Sequence, residues 1–556
     1  WTLMTLAIGL LFVFVLFRAK EFPRRSLLLV PLCLLIVSLA FWFVLPGLSE
    51  PSLPLEVIPS ATTSQMIAEQ TLQQHSSSWG SGPGTYAFDF ARFRPVSLNQ
   101  TDFWNVRFDR ASSFLLTLVP TIGMFGVTLL GLFVLLLLVQ ALTQALRPGA
   151  REQWLETFAH LVPWAVLLVS GAMVAWNMTL VVSFGVFSGL LASQVMRRDW
   201  TKTWHKAPAV KLVVSFLFIV MSLGFLIGIF VTATRYAAEV AFSRAVALDR
   251  QGGDLQEVIT LLDRASTLNA HHDTYYRNLA EALVLRVEEQ LAGVSSIDTL
   301  TPESTQYVQA LIGSAVNAAA RATELSPHQV LNWLTRGQLY RELMPVMGEA
   351  GAFAVSSYER AVELEPTHPG HWTALGIAYL AVAERARPLT ASPDTAAAVQ
   401  AQAQLDRSLA GAQAAFDRAV ELKPNYAPAH YQLAVTYQRQ GRMDAAIGKM
   451  ESVAQYNRLD VGVFFQLGMM YLSRDGTGDR LRAKTALSRA VELEPAYANA
   501  HWFLATLYEQ EGDLAAAVRE VEAVLELNPG NDIVESRLER LLAGQISTQV
   551  PEAIED

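Results

Sequence analysis

The 556-residue sequence predicts an all-α protein in two parts: a multi-spanning transmembrane helical domain, then an α-solenoid of helix-turn-helix repeats. Three observations predict it. Uncharged apolar runs crowd the first 233 positions, and about 20 such residues suffice for a helix to cross ~30 Å of hydrocarbon. From Leu331 onward an aromatic-Leu-small-Tyr pattern recurs at near-constant spacing. Charge is divided too. Residues 1–233 hold 15 Lys and Arg against 10 Asp and Glu, a net of +5, while residues 234–556 hold 27 against 41, a net of −14. An acidic repeat region argues against a nucleic-acid partner, which needs a basic face. Cys33 is the only cysteine, so no internal disulfide forms, and its apolar run marks it as membrane filler.

Residues 1–46 contain two spans, Trp1–Phe17 and Ser26–Pro46. The chain opens apolar, without Met or a signal-peptide layout, so further spans are expected upstream. Residues 47–113 form a loop. Residues 114–233 add the spans Phe114–Val139 and Leu212–Ala233. Between them lies the uncharged run Leu161–Met196, too long for one crossing and read as two that turn near Asn177. Lipid offers backbone groups no partners, so all six are helices. Arg18, Lys20, Arg24 and Arg25 fall on one side with Arg147, Arg151, Arg197, Arg198, Lys202, Lys206 and Lys211. Basic loops mark the cytoplasmic side. The loop 47–113 and everything after Ala233 therefore face outward, across a bacterial plasma membrane.

The repeats follow. "LNWLTRGQLY", "HWTALGIAYL", "AHYQLAVTYQ", "VFFQLGMMYL" and "AHWFLATLYE" each precede a second helical stretch, often Ala-rich. Pro424, Pro495 and Pro529, with Arg458 in one proline's place, give spacings of 34, 37 and 34. Proline ends the second helix because it has no N–H and clashes with the preceding turn. An Ala/Gln-rich insertion spans Thr390 to Leu409. The pattern resembles the tetratricopeptide repeat, with five units over residues 331–545, degenerate units over 234–330 and a disordered tail at 546–556. Trp333, Trp372 and Trp502 are read as core. His271, His272, His430 and His501 lack metal-site spacing, and His430 and His501 hold equivalent repeat positions, so packing is their expected role. Stacked repeats form a groove for a protein partner.

The loop carries the remaining chemistry. A Pro-rich start gives way to a helix, "TSQMIAEQTLQQH", with a weak apolar face. "GSGPGTY" follows, where Gly80, Gly82 and Gly84 allow backbone turns closed to other residues. "YAFDFARFRP" and "FWNVRFDRASS" then mix aromatics, which favour membrane surfaces, with Arg92, Arg94, Arg107 and Arg110. Arginine's planar fork matches phosphate oxygens, so outward-facing arginines suggest a diphosphate ligand; pairing with Asp89, Asp102 or Asp109, or contact with lipid headgroups, is the plainer alternative. Asn99-Gln100-Thr101 spells a glycan-acceptor triplet and is read as chance.

A glycine turn after a helix, an aromatic-basic loop and a span opening "SSFLLTLVPTIGMFG" together resemble the O-antigen ligase and polymerase family over residues 1–145. The resemblance implies a glycosyltransferase that moves a glycan from an undecaprenyl-diphosphate carrier to a lipid, glycan or protein acceptor, without metal or cofactor. It assigns diphosphate binding to Arg92, Arg94, Arg107 and Arg110; Trp104 is read beside them as a glycan-binding residue, and Arg107, Arg110 and Asp109 as the catalytic candidates. The family's pre-span histidine would fall at Ser112 or Ser113 and is absent; Asp109, Asp102, Asp89 and His75 are the nearest substitutes. The alternative is a non-catalytic, membrane-anchored repeat scaffold for envelope proteins.

Overall fold

The computed structural model describes residues 57–75, 77–146, 151–195, 208–292, 301–547 and 553. The first two predicted spans, Cys33, most of the basic residues used for sidedness and most of the tail lie outside the described residues. Every regular element among the described residues is helical. Two compact units are present. One comprises residues 1–95 and 105–230, the other residues 96–104 and 231–556.

In the first unit, helix α1 (Ala61–Gln74) starts at Ser60, whose hydroxyl accepts from the Thr63 N–H at 3.1 Å. Its buried face is Ser64, Ile67, Ala68 and Thr71, small enough for close packing on helix α3 (Phe114–Leu146). Helix α2 (Tyr86–Phe93) lies between them in sequence. The uncharged run after residue 160 belongs to two helices, α4 (Arg151–Met173) and α5 (Met178–Val195). Asn177 caps the second through its side-chain oxygen, 3.1 Å from the Leu180 N–H. Trp164 is fully buried among Leu137, Ala141, Leu161 and Leu191, and its ring N–H donates to Ser188 Oγ at 2.9 Å. Helix α6 (Pro208–Arg250) is 43 residues long.

The sequence predicts four crossings after residue 113. Three helical stretches are long and apolar enough to cross a membrane: Phe114–Gln144, Met178–Val195 and Leu212–Arg250. A fourth, Ala159–Met173, is apolar but shorter. The outer surface of α6 from Leu212 to Val231 is almost wholly apolar and exposed.

In the second unit, α7 (Leu255–Leu268), α8 (Asp273–Leu291) and α9 (Pro302–Leu325) pack in sequence, with Ala245 of α6 in the same core. Five helix pairs follow: α10 (Val330–Glu342) with α11 (Ala350–Leu364), α12 (Pro369–Ala386) with α13 (Thr395–Leu422), α14 (Ala427–Arg439) with α15 (Met443–Tyr456), α16 (Val461–Arg474) with α17 (Asp479–Leu493), and α18 (Ala498–Glu511) with α19 (Leu514–Leu527). A last helix, α20 (Asp532–Leu542), closes the row. The predicted insertion begins in a 3-10 turn, Pro388–Ala391, and its residues 395–409 form the first half of α13, which is 28 residues long.

The small residue of each repeat sits where its two helices cross. A Cβ on Gly337 would meet the Tyr358 ring at 2.9 Å, one on Gly376 the Phe416 ring at 2.4 Å, and one on Gly468 Leu487 at 2.7 Å. Ala434 and Ala505 fill the same position in the other two repeats and are fully buried. Another position recurs as a ring N–H that caps the loop before it. Trp333 donates to Pro327 O at 2.9 Å and Trp372 to Pro366 O at 2.8 Å. His430 Nε2 meets Pro424 O at 2.7 Å and His501 Nε2 meets Pro495 O at 3.0 Å. Trp502 is core, as expected, whereas Trp333 and Trp372 are half-buried and act through this bond. The row ends on Arg537, 3% exposed, which reaches Trp502 O, Thr506 Oγ1 and Glu509 Oε2 at 2.9–3.1 Å.

Candidate functional site

The glycine loop and the first third of α3 are one structure. Helix α3 leaves helical geometry at Gly123, where φ is 64° and ψ 179°. Such a break frees carbonyls on one side and N–H groups on the other, and each must find a partner. The loop supplies them. Ser81 N donates to Pro120 O at 2.9 Å and Gly82 N to Thr121 O at 2.8 Å, while Met124 N and Phe125 N donate to Ser77 O and Ser78 O at 3.0 Å. Gly80, with φ of 71°, lies against Gly123. A Cβ on Gly80 would stand 2.4 Å from Pro120 O, and one on Gly123 2.5 Å from Gly80 N and Ser78 O. Trp79 covers the joint on Phe125, ring centroids 5.1 Å apart.

Asp89 of α2 hangs on this loop. It is 4% exposed, and its Oδ2 accepts from Ser81 Oγ at 2.5 Å. Burial pushes its carboxyl up to about 6, against the Ser81 hydrogen bond, which favours the charged form. Burial likewise raises its neighbour Tyr86 to about 12.

The four arginines occupy different settings. Arg92 is exposed on α2. Arg94, just past that helix, is 1% exposed. Arg107 and Arg110 are half-buried, and Arg110 Nε pairs with Asp109 Oδ1 at 3.0 Å. Asp109, Asp102 and His75 are exposed. Ser112 and Ser113, where the resemblance would place a histidine, have local duties. Ser112 N donates to Ser64 Oγ at 3.0 Å, and Ser113 Oγ accepts from Leu116 N at 3.3 Å to start α3.

Trp104 lies in the other unit. Residues 96–104 open with a 3-10 turn, Val96–Gln100, and dock on two successive repeat loops. Asn99 is fully buried, so its acceptor triplet is closed off. Its Nδ2 donates to Thr367 O at 2.8 Å and Leu422 O at 3.2 Å, and its backbone carbonyl accepts from Lys423 Nζ at 2.5 Å. The Trp104 ring lies 5.5 Å from His368, 5.3 Å from Tyr426 and 5.3 Å from the Lys423 ammonium. Sequence reasoning missed this dock, because nothing local to Asn99 announces partners in the repeats.

Beside it, Glu365, His368 and His371 bring three ligand-type atoms within 4.8 Å of one another, all buried. His371 Nε2 faces Glu365 Oε2 at 2.8 Å, and the two imidazoles stack at 4.0 Å. The spacing Glu-x2-His-x2-His was visible in the sequence; the expectation of no metal rested on other histidines.

Two family models described as tetratricopeptide repeat match residues 415–448 and 472–532. The array is built of tetratricopeptide repeats. Among solved structures, a tetratricopeptide repeat protein from Parabacteroides merdae is similar over 55% of this chain and 99% of its own, at 14% identity and a TM-score of 0.35. The MamA protein is similar over 36% and 91%, at 18% identity and 0.28. YrrB, described as having an unusual peptide-binding site, is similar over 40% and 98%, at 15% identity and 0.28. No curated protein sequence matches the chain. The matched family models lie wholly within the tetratricopeptide repeats, and the ligase resemblance of residues 1–145 gains no support from them. Within the repeats, an open groove of about 870 Å³ runs along α16 and α17, floored by Phe464, Leu467, Tyr471 and Leu481.

Proposed function

We propose that the chain is a membrane-anchored tetratricopeptide-repeat scaffold that gathers protein partners at the outer face of a bacterial plasma membrane. One observation carries the reading. A single helix, α6, has an exposed apolar surface from Leu212 to Val231 and buries Ala238, Ala241 and Ala245 in the cores of the repeat-bearing unit. Apolar surface of that extent is stable only when lipid or protein covers it. Stacked repeats with an open groove suit extended partner segments. The test uses the full chain with Cys33 replaced by Ala and single cysteines at Gln400 or Glu526, both exposed. The protein is expected to resist alkaline carbonate extraction, and both cysteines to react with an impermeant maleimide in intact spheroplasts. Extraction by carbonate, or labelling only after lysis, overturns the reading.

A second reading is favoured by the stitched glycine loop, with Asp89 raised to about 6 inside it. Here the exoplasmic loop handles an undecaprenyl-diphosphate-linked glycan, Arg107 and Arg110 steady the diphosphate, and Asp109 or Asp89 takes the acceptor proton. Surface glycan that is unchanged in Arg107→Ala and Arg110→Ala strains removes this reading and leaves the scaffold.

A further inference from the structure

Each repeat can be aligned on the loop proline whose carbonyl the ring N–H caps, namely Pro327, Pro366, Pro424 and Pro495. One residue before the proline stand Ser326, Glu365, Lys423 and Glu494. Two after it stand Gln329, His368, Tyr426 and Tyr497. Five after it stand Asn332, His371, Ala429 and Ala500. Ala429 and Ala500 are fully buried, so the fold asks only for a small residue at the last position. In these four loops, only the one at Pro366 places ligand-type side chains at all three positions, and they converge. Glu365, His368 and His371 are at most 5% exposed.

We propose that Glu365, His368 and His371 form a binding site for a borderline divalent transition metal, with Zn²⁺ the natural probe. Two imidazole nitrogens and one carboxylate oxygen are the donor set that zinc and its neighbours accept, leaving a fourth position for water. Ligand atoms around tetrahedral zinc lie roughly 3.4 Å apart, given bonds of ~2.0–2.1 Å. The separations here, 2.8 Å between His371 Nε2 and Glu365 Oε2 and all within 4.8 Å, bracket that value, and turning the two stacked imidazoles so that their ring nitrogens converge completes the site. A bound cation also offsets the cost of a fully buried carboxylate. Trp104 closes one side against the His368 ring.

The experiment uses untagged full-length protein in detergent, stripped with a chelator, dialysed and titrated with Zn²⁺ against a chromophoric competitor. A parallel titration with Co²⁺ follows its visible ligand-field absorption. The expected result is one Zn²⁺ per chain and the intense Co²⁺ bands of low coordination number. His371→Ala gives that position the residue of Ala429 and Ala500, and His368→Tyr gives the residue of Tyr426 and Tyr497. Both are compatible with the repeat, and each is expected to weaken binding more than about 100-fold with helical circular dichroism unchanged. Binding by the wild type that is no tighter than by the variants overturns the site. So does the absence of stoichiometric binding by the wild type, whatever the variants do.

Discussion

Asp89 is enclosed by groups that pull its titration in opposite directions. Burial disfavours the carboxylate, while Ser81 and Thr85 hydroxyls and the nearby His75 and Arg92 favour it. Burial wins, and the carboxyl titrates near 6. The linkage has a definite sign. A carboxyl whose folded value lies above its unfolded value, about 3.9, stabilises the fold fully below pH ~4, and that contribution is lost as pH rises through about 6. The unit holding α1–α5 should therefore melt at lower temperature at pH 7.5 than at pH 5, and Asp89→Asn should flatten the difference. The check is thermal unfolding in detergent followed by Trp fluorescence; a wild-type profile that matches the variant's over that range would falsify the assignment. His501 shows the converse design. Its ring faces Glu520 through Nδ1 at 2.6 Å and Pro495 O through Nε2, so the doubly protonated ring satisfies both, and the Glu520 carboxylate raises its titration.

At the scale of elements, the broken helix α3 and the glycine loop stabilise each other or fail together. Gly80→Ala drives a Cβ into backbone atoms and forces an L side chain into positive φ. The joint must open, exposing up to four backbone hydrogen bonds. The cost is expected to exceed about 3 kcal/mol, from ~1–2 for the left-handed backbone and ~1–3 for each polar group left unpaired. Gly84 is the control. Its φ is 80°, but a Cβ there meets nothing within 4 Å, so Gly84→Ala should cost only about 1 kcal/mol. Equal losses in a melting comparison would refute the stitched joint. The sequence shows why the glycines stand out but not what they touch. Their partner is a helix break, and nothing in "LVPTIGMFG" marks Gly123 as the break rather than as one more small residue in an apolar run. The repeats were legible for the opposite reason. Each one restates the same small crossing residue, and four of the five restate the same loop cap, so one repeat checks another. The Ala/Gln-rich insertion carries no such restatement, so its fusion with α13, which buries Ala401 and Leu409, was not legible in the sequence.

At the scale of the molecule, the units are not continuous stretches of chain, since residues 96–104 fold with the repeats although both flanks belong elsewhere. That assignment was beyond the sequence, because Asn99 and Lys423 meet only through tertiary structure. The same fact places Trp104, a glycan-binding candidate in the sequence, at the edge of the repeats, where its ring is packed among His368, Tyr426 and Lys423. The contact makes a measurable claim about the whole chain. Lys423→Ala removes a charge-assisted bond to Asn99 O, and Asn99→Ala removes two donations to repeat carbonyls. Each loss is worth roughly 1.5–3 kcal/mol, or at least about tenfold in local opening. In hydrogen exchange on the full protein, amides within 96–104 should be protected in the wild type and exchange at least about tenfold faster in either variant. Amides of α3 should be unmoved, since their bonds lie within the other unit. Fast exchange of 96–104 already in the wild type would mean that the segment is not docked. Protection spread equally over both units in the variants would mean that the dock does not hold it locally.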